Sequence, residues 1–369
     1  MKYFKKLSYG LENTENKIFK GDNVEVLNDI MDNYRGMVDC IYIDPPYNND
    51  EEYIHYSDSD GFEIWLEKVS KTLSLLFELL SDKGSLWISI DDGQLHYLKV
   101  AADKIIGRHN FVHTIVWEHR TTRENRKAFS NNHEYILVYA KNPCEFKEQR
   151  NLLATDKEFL KRFKNPDNDP RGDWQSISLS VQAGHAVPSQ FYTIVAPNGK
   201  EHNPPIGRCW AYNEQRMLEE IKNNNIWFGK NGNGVPRRKK FLSESIQGLT
   251  PETIWFAEEV GTTDQAKKHL KSIFENQEVF DTPKPEALIK RIIEISTNEG
   301  DMVLDAYLGS GTTAVVSQQL NRRYIGIERG QHVYDIVLPR LDRCIDNLLS
   351  GDTAIDNVGY EFWSEDNNE

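Results

Sequence analysis

Residues 301–328 place the strongest constraint on the fold of this chain. They read "DMVLDAYLGSGTTAVVSQQLNRRYIGIE", which is an apolar strand, a glycine-rich turn, a helix and a second apolar strand. Parallel strands need such a crossover helix, so this stretch predicts a βαβ unit and a parallel sheet. Apolar strands also alternate with amphipathic helices through the N-terminal third of the chain. The pattern predicts an α/β protein with a doubly wound, mostly parallel, Rossmann-like sheet.

The turn in this unit has the spacing of a nucleoside-cofactor site. Gly309, Gly311 and Ala314 form the pattern Gly-x-Gly-x-x-Ala, and Glu328 ends the following strand. Glycines let the backbone turn tightly and approach a ligand closely, while a carboxylate at the next strand tip can accept both ribose hydroxyls. The glycines alone would also fit a tight turn without a ligand. The flanking strand, the helix and Glu328 favour the nucleoside site.

Three nucleoside ligands compete for this turn. A P-loop needs a lysine after its last glycine, but Gly311 is followed by Thr312 and then by no lysine, which disfavours a nucleoside triphosphate. NAD and S-adenosylmethionine both stay open on these residues alone. S-adenosylmethionine carries no phosphate, and Asp305 at the end of the first strand could meet its amino-acid end.

A second motif, "CIYIDPPYNN", ends another apolar strand with Asp44, Pro45, Pro46 and Tyr47. Prolines can simply terminate a strand, but doubly wound sheets keep their chemistry at this carboxyl end. The Asp44 carboxylate and the Pro45 carbonyl could accept both N–H groups of a poorly nucleophilic amine and aim its lone pair. The prolines stiffen the turn and add no competing donor, and Tyr47 could stack on an extruded base.

Composition limits the classes of protein to consider. The chain has 369 residues, a net charge of −13, 27% charged residues and 38% hydrophobic residues. No apolar run approaches the roughly 20 residues of a membrane span, and the N-terminus lacks the apolar core of a secretory signal. The four cysteines lie far apart, so neither a metal site nor a disulfide framework is predicted. We therefore expect a cytoplasmic protein with no membrane partner and no metal.

Together, "IDPPYN" and the later "LDAYLGSGTTA" resemble the motifs of the β class of adenine-specific DNA methyltransferases, in the order of that class. Further segments, such as "GSLWISIDD", "HEYILVYAKN" and "FDTPKPEALIKRII", are similar to the modification subunits of type III restriction-modification systems. The resemblance implies a circularly permuted methyltransferase fold of bacterial or phage origin. It also implies S-adenosylmethionine as cofactor and the amino group of a flipped-out adenine in double-stranded DNA as target.

The resemblance carries roles to individual residues. The target-amine site would consist of Asp44, Pro45, Pro46 and Tyr47. The cofactor site would consist of Asp22 at the adenine, Lys284 of "TPKP" at the methionine end, Asp305, Tyr307, Gly309, Gly311 and Thr312 at the turn, and Glu328 at the ribose. Tyr307 stands where the family often has Phe. A helix-capping Asp22 and a solvated Lys284 are the structural alternatives.

The stretch between the two motifs loses the clean periodicity and predicts an insertion. We predict a catalytic half over 1–118, an inserted target-recognition region over 119–280, a cofactor-binding half over 281–349 and an acidic C-terminal tail over 350–369. Two basic clusters favour DNA phosphate contact over a merely solvated face. They consist of Arg120, Arg123, Arg126 and Lys127, and of Arg237, Arg238, Lys239 and Lys240.

Several functional alternatives stay open at this point. A cytosine-N4 methyltransferase has the same amine chemistry, although those relatives usually carry Ser at the position of Asp44. A NAD-dependent oxidoreductase would use the glycine turn but leaves the Asp-Pro-Pro-Tyr motif unexplained. A DNA-binding protein without activity would not need the intact Asp44 and Tyr47. A restriction subunit and a second copy of the chain are partner hypotheses; the chain is shorter than a usual type III modification subunit, so a stand-alone enzyme is also an option.

Overall fold

The computed structural model describes residues 2–11, 14–48, 61–124, 128–155, 157–245, 248–274, 279–351 and 357–365. Its strands are β1 (Tyr3–Gly10), β2 (Lys17–Lys20), β3 (Val38–Ile43), β4 (Leu80–Ile90), β5 (Phe111–Glu118), β6 (His133–Ala140), β7 (Trp174–Ser178), β8 (Ser180–Gln182), β9 (Ile194–Val195), β10 (Glu201–His202), β11 (Arg208–Trp210), β12 (Ile226–Trp227), β13 (Arg237–Phe241), β14 (Ile254–Trp255), β15 (Met302–Asp305), β16 (Arg323–Glu328) and β17 (Gly359–Glu365).

The α-helices in this part of the chain are α1 (Asn23–Tyr34), α2 (Phe62–Leu79), α3 (Leu95–Ala102), α4 (Pro143–Gln149), α5 (Lys157–Leu160), α6 (Glu214–Lys222), α7 (Ala257–Val260), α8 (Thr263–Ile273), α9 (Glu286–Ser296), α10 (Thr312–Gln319) and α11 (Leu338–Ser350). Across the described ranges, none of these helices is both long and apolar enough to cross a membrane.

A large mixed sheet forms the centre of the fold. Its strand order is β1-β17-β2-β16-β15-β3-β4-β6-β5-β14. The strands from β17 to β4 run parallel to one another, whereas β6 is antiparallel to both β4 and β5. Helices flank the sheet, and the architecture is that of an α/β protein. The predicted doubly wound, mostly parallel sheet is confirmed.

The central strand β3 shows why this arrangement is stable. All six residues of Val38–Ile43 are buried, as expected for a strand covered by helices on both faces. Helix α1 is capped by Asp22, whose side chain accepts hydrogen bonds from the backbone amides of Val24 and Glu25. Helix α2 turns its buried residues, including Trp65 and Leu73, towards the same hydrophobic core. The core therefore fixes the position of the loop that follows β3.

The chain divides into two compact units whose boundaries differ from the predicted insertion. The first unit comprises Met1–Asn151 and Pro251–Glu369, and the second comprises Leu152–Thr250. Strand β6 lies within the predicted range 119–280 but pairs with β4 and β5. Strand β14 also lies in that range and extends the same sheet beside β5. The sequence loses its clean periodicity at about residue 119, whereas the second unit begins only at Leu152.

The C-terminal segment predicted as an acidic tail contains a strand. Gly359–Glu365 forms β17, which lies between β1 and β2 in the large sheet. Tyr360 and Phe362 are buried there, so their burial outweighs the acidic composition of the segment. Strand β1 was not predicted either, because the lysines and polar residues of Tyr3–Gly10 alternate with few apolar ones.

The second unit has a small core of its own. Leu179, Trp210, Met217 and Phe228 are among its buried residues. Strands β12, β13 and β7 form a three-stranded antiparallel sheet, and β9 with β10 and β8 with β11 form two short ladders. The second unit thus combines short antiparallel strands with helix α6.

Candidate active site

The carboxyl ends of β3 and β15 bring the two sequence motifs together. The strands are parallel neighbours, with Val303 opposite Cys40 and Leu304 opposite Ile41. Asp44 follows β3 directly and Asp305 ends β15, so both carboxylates lie at one edge of the sheet. The loops at this edge surround a cavity of about 890 Å³, which is within the usual range for a ligand site. Asp44 and Gly309 both line this cavity, as expected where the carboxyl ends of neighbouring parallel strands form one crevice.

Most of the predicted site residues line this one cavity. From the target-amine set they are Asp44, Pro45, Pro46 and Tyr47; from the cofactor set they are Asp22, Lys284, Asp305, Tyr307, Gly309, Thr312 and Glu328; and from the basic clusters the cavity includes Arg120. Gly311 lies just behind the cavity wall, where it opens α10 in a left-handed conformation with φ of 83°. A Cβ there would meet a side-chain carbon of Val337 at 3.1 Å, so the turn requires glycine.

Glu328 fastens the glycine turn to the neighbouring strand. One carboxylate oxygen accepts the backbone N–H of Gly309 at 2.8 Å, and the other accepts that of Gly330 at 2.7 Å. Burial opposes ionisation, but hydrogen bonds from His332 and these amides lower the pKa of Glu328. The carboxylate therefore stays ionised at the cavity wall, with acceptor capacity for a ligand hydroxyl.

Asp305 is a buried carboxyl group at the other end of the turn. It is 2% exposed and accepts the Thr313 hydroxyl at 2.6 Å and the Tyr307 backbone N–H at 2.9 Å. Burial raises its pKa to about 7 although both hydrogen bonds act in the opposite direction. A cationic group bound next to Asp305 would favour its ionised form.

Asp44 and Lys284 form an ion pair inside the cavity. The Lys284 ammonium lies 2.8 Å from one oxygen of Asp44 and 3.0 Å from the Tyr47 hydroxyl. Burial disfavours the charged lysine, but Asp44 and Glu134 together raise its pKa. Burial raises the pKa of Asp44, and Lys284 opposes that shift. Lys284 is thus neither solvated nor confined to the cofactor turn, because it reaches the predicted amine site.

The Asp-Pro-Pro-Tyr turn is held from several sides. The Tyr47 hydroxyl lies 2.9 Å from the second oxygen of Asp44, and the indole N–H of Trp65 donates to the Pro46 carbonyl at 2.7 Å. Asn48 follows in a left-handed conformation with φ of 52°, which ends the extended turn. The contacts leave the turn with a fixed shape and keep the Tyr47 ring at the cavity wall.

Two further residues of the site escaped sequence reasoning. Glu134, the second residue of β6, lies 3.1 Å from the Tyr47 hydroxyl and 3.6 Å from the Lys284 ammonium. His119, just after β5, has its Nδ1 atom 3.6 Å from Glu134. For Glu134 the sequence held one signal, because this charged residue precedes the buried apolar run of β6.

The remaining cofactor candidates have structural partners as well as cavity exposure. Asp22 caps α1, which was the alternative to a ligand contact, and it also lines the cavity. The Thr312 hydroxyl donates to the Lys284 carbonyl at 3.2 Å and so ties the turn to the segment that carries this lysine. Tyr307 lies 3.4 Å from the Thr72 hydroxyl. Within the described residues, no His, Cys, Asp and Glu side chains cluster as a metal site would require.

Comparison with known proteins places the chain in a family. The sequence model of the DNA methylase family N6_N4_Mtase matches residues 38–339, a span that includes both motifs. The chain belongs to this DNA methylase family. Most residues that line the cavity, although not Asp22, fall within the matched span, and the oxidoreductase alternative loses its basis.

Individual relatives of this chain differ in length and type. The type III restriction-modification enzyme StyLTI Mod subunit from Salmonella typhimurium is 32% identical over 96% of this chain and 56% of its own length. The type II methyltransferase M.KpnI from Klebsiella pneumoniae is 29% identical over 84% of this chain and 78% of its own. A solved structure, the cytosine-N4-specific PvuII DNA methyltransferase, has a TM-score of 0.49 and 11% identity over 94% of this chain and 90% of its own. The chain spans about half the length of the curated type III relatives that it matches.

The residues of the two predicted basic clusters differ in their exposure. Arg120 lines the cavity and Arg123 is exposed, whereas Arg126 and Lys127 lie outside the described residues. In the second unit, Arg237 is exposed and Arg238 and Lys240 are half-buried.

The burial of Lys239 contradicts its predicted role in DNA binding. Its side chain is 1% exposed, and its ammonium pairs with Asp167 and, at 2.9 Å, with Asp169. Side chains alternate along a strand, so one residue of β13 points into the unit while its neighbours point outwards. A buried, doubly paired lysine cannot reach a phosphate, and we remove it from the DNA-binding set.

Proposed function

We propose that this protein transfers a methyl group from S-adenosylmethionine to the exocyclic amino group of an adenine extruded from double-stranded DNA. The observation that carries the proposal is the position of Asp44 at the same cavity as Asp305, Gly309 and Glu328. Membership of the DNA methylase family supports the reaction class. Because the chain spans about half of its type III relatives, activity, substrate and partners are proposals about this chain alone.

The donor and acceptor groups of the turn fit S-adenosylmethionine. Glu328 would accept the ribose hydroxyls and Asp22 would lie at the adenine end, while Asp305 would pair with the positively charged amino group. Lys284 would pair with the carboxylate of the amino-acid end. When bound, S-adenosylmethionine supplies a methyl group carried on a positively charged sulfur.

The protein groups at the other end of the cavity would prepare the amine. Asp44 and the Pro45 carbonyl would each accept one N–H of the amino group, which directs the nitrogen lone pair towards the methyl carbon. The Tyr47 ring would stack on the flat face of the base, as aromatic side chains do in sites that bind extruded bases. Catalysis would then consist of positioning and charge placement in a site largely shielded from water.

DNA contact would come from basic residues near the cavity and in the second unit. Arg120 and Arg123 lie on the segment after β5, and Arg120 is already at the cavity wall. Arg237, Arg238 and Lys240 are the remaining candidates of the second cluster, and Arg126 and Lys127 stay sequence predictions. Such contacts would position the duplex without reading its sequence.

The biological setting follows from the substrate and the relatives. We propose a bacterial or phage enzyme that acts on DNA in the cytoplasm as the modification part of a restriction-modification system. The matched relatives include both type III Mod subunits and type II methyltransferases. A restriction subunit and a second copy of the chain are therefore both candidate partners.

The direct test is to express the chain in a host that lacks DNA methylation and to map modified bases in its genome. We expect N6-methyladenine at one short sequence motif, and none in cells that express Asp44→Ala. N4-methylcytosine at such a motif would instead establish the cytosine alternative. Absence of any modified base, or the same modification with Asp44→Ala, would contradict the proposal.

A further inference from the structure

Lys284 lies between two carboxylates at the predicted amine site. Its ammonium is 2.8 Å from Asp44 and 3.6 Å from Glu134. The Tyr47 hydroxyl also touches both, at 2.9 Å from Asp44 and 3.1 Å from Glu134. Asp44 and Glu134 thus share an ammonium and a hydroxyl, although they come from the ends of different strands. Nothing in the two sequence motifs accounts for Glu134.

The net charge of the amine site indicates a role for Glu134. Asp44 and Lys284 alone would form a neutral pair, and an amine that gains positive charge during methyl transfer would meet no net charge. Glu134 brings the buried group to a net charge of −1. The Lys284 and Glu134 side chains are mostly buried, and among such groups one unit of charge within a few ångströms strongly affects a developing cation.

The neighbour of Glu134 does not cancel its charge. His119 lies 3.6 Å from Glu134 and would neutralise it as an imidazolium. Burial lowers the pKa of His119, despite the opposing effect of Glu134, so the imidazole is neutral near pH 7. The net negative charge of the cluster of Asp44, Glu134 and Lys284 is therefore kept.

We propose that Glu134 is a positioning residue that counterbalances Lys284, so that the charge of Asp44 is available to the target amine. This inference rests on the proposed methyl transfer. Without Glu134, Lys284 would be held by Asp44 alone and would compete with the amine for its oxygens. With Glu134, the ammonium has a second counter-ion, and Asp44 can exchange it for an amine N–H.

The chemical step shows where the charge is needed. The nitrogen lone pair forms the new N–C bond while the S–C bond breaks and its electron pair stays on sulfur. The nitrogen is then positively charged, and one of its protons leaves while the N–H electron pair returns to nitrogen. Asp44 is the nearest anionic acceptor for that proton, which passes to solvent. Both the methyl transfer and the proton loss are favoured by a net negative site.

The remaining ionisable groups around Asp44 are the same in every variant proposed below. Tyr42 and Tyr47 face it with hydroxyl groups, and burial raises the pKa of each well above its ordinary value, so both stay neutral. Asp305 adds a weaker like-charge effect from the cofactor side. Changes at Glu134 and Lys284 can therefore be compared on a constant background.

The first test is a double-mutant cycle on the single-turnover methylation rate at saturating cofactor. Glu134→Gln should lower the rate about tenfold or more, because Lys284 then neutralises Asp44. Adding Lys284→Met should restore at least part of that loss, because the unbalanced cation is gone. Rate losses that simply multiply in the double variant would overturn the proposal. Glu294→Gln and Lys290→Met, an exposed pair on α9, are the matched controls and should leave the rate unchanged.

The second test uses the pH dependence of the same rate. Glu134 raises the pKa of Asp44 and Lys284 lowers it. The midpoint at which the rate falls on acidification should thus move to lower pH in Glu134→Gln and to higher pH in Lys284→Met. A purely structural role for Glu134 would lower the rate without moving the midpoint, and unmoved midpoints in both variants would refute the inference.

The third test needs neither cofactor nor DNA. In thermal unfolding of the free protein, Lys284→Met should lower Tm because two buried carboxylates then face each other. Glu134→Gln should raise Tm in that background by removing the like charge, and should not raise it in the wild type. Equal effects of Glu134→Gln in both backgrounds would contradict the charge balance. If the wild type methylates no DNA, the proposed function fails while this unfolding cycle still decides whether the charges are coupled.

Discussion

Two buried lysines in this protein have nearly the same surroundings and different consequences. Lys284 lies between Asp44 and Glu134, 5.1 Å from the Tyr47 ring centre. Lys239, in the second unit, lies between Asp167 and Asp169, 5.3 Å from the Trp174 ring centre.

The difference lies in what else satisfies the carboxylates. Arg171 holds Asp169 with two hydrogen bonds, at 2.9 and 2.8 Å, and Arg171 and Lys239 lower the pKa of Asp169 well below its usual range. Burial instead raises the pKa of Asp44, which lines a cavity. A carboxylate whose oxygens are all engaged in ion pairs and hydrogen bonds stabilises a fold. A carboxylate at a cavity that can still accept hydrogen bonds can bind and act on a ligand.

The largest expected effect is on the methylation rate, which should depend on Asp44 but not on Asp169. Asp44→Asn should lower the single-turnover methylation rate by about a thousandfold or more at saturating cofactor, because it removes the anionic acceptor of the amine. Cofactor affinity, measured by calorimetric titration, should stay near the wild-type value. Asp169→Asn serves as the matched variant and should leave the rate constant of folded protein unchanged. A comparable rate loss there would break the comparison.

The next effect concerns stability in the second unit. Lys239→Met should lower the free energy of unfolding by about 3 kcal/mol, because it leaves Asp167 and Asp169 buried without this cation. Denaturant unfolding followed by tryptophan fluorescence measures this change, since Trp174 packs beside the lysine. The control is Lys240→Met, one position along the same strand, with an expected change below about 0.5 kcal/mol. Equal stability of the two variants would show that the Lys239 pairs contribute little.

Asp305 gives a smaller effect with a defined pH dependence. Burial raises its pKa to about 7, so the free protein carries a neutral carboxyl group below that pH and an ionised one above it. Pairing with the cofactor's amino group needs the ionised form, so the Kd of S-adenosylmethionine should rise up to tenfold per pH unit as pH falls from 7 to 5. In Asp305→Asn the affinity should be weaker and nearly independent of pH over this range.

The Asp305 carboxyl group should also affect the stability of the free protein, which it favours at low pH, whereas cofactor binding is favoured at high pH. Its folded-state pKa lies above the unfolded value of about 3.8, so its contribution to stability is complete at low pH and is lost as pH rises towards 7. In free protein, the stability of Asp305→Asn relative to wild type should therefore increase from pH 4 to 7. A flat difference across this range would mean that Asp305 titrates normally.

The smallest expected effect is on DNA binding. Arg120→Gln should weaken binding severalfold and reduce the slope of log K against log salt by about 1, the change expected for one lost phosphate contact. Fluorescence anisotropy at several salt concentrations measures both quantities. Arg35→Gln removes an equally exposed charge that does not line the cavity, and it should change neither. An unchanged slope for Arg120→Gln would place this residue outside the DNA interface.

The cofactor half of the site could be predicted from the sequence because its main residues lie close together along the chain. Asp305, Gly309 and Glu328 lie within one βαβ unit, where strand, turn and helix signals reinforce each other. The left-handed conformation of Gly309 and Gly311 is what the glycine pattern predicts. The neighbouring position of Asp44 followed from the rule that parallel strand ends form one crevice.

The other half depends on tertiary contacts that no local pattern encodes. Glu134 reaches the site because β6 runs antiparallel beside β4, a pairing that reverses which end of the strand meets the cavity. Lys239 could not be told from its basic neighbours because its partners Asp167 and Asp169 are distant in sequence. Strand β17 was missed because acidic residues interrupt its apolar ones. Sequence periodicity reports which residues can be buried, but not which charges they meet there.

The pairing of β3 with β15 also has a consequence for folding during synthesis. All six residues of strand β3 are buried in the finished protein, and all of them except Asp39 are hydrophobic. Its neighbour β15 is translated only after the intervening residues 44–301, so one edge of β3 lacks its native partner until then. An unpaired, apolar strand edge is prone to aggregation, and closing so long a loop is slow. The edge of β3 is therefore exposed to aggregation in the nascent chain until residues 302–305 arrive.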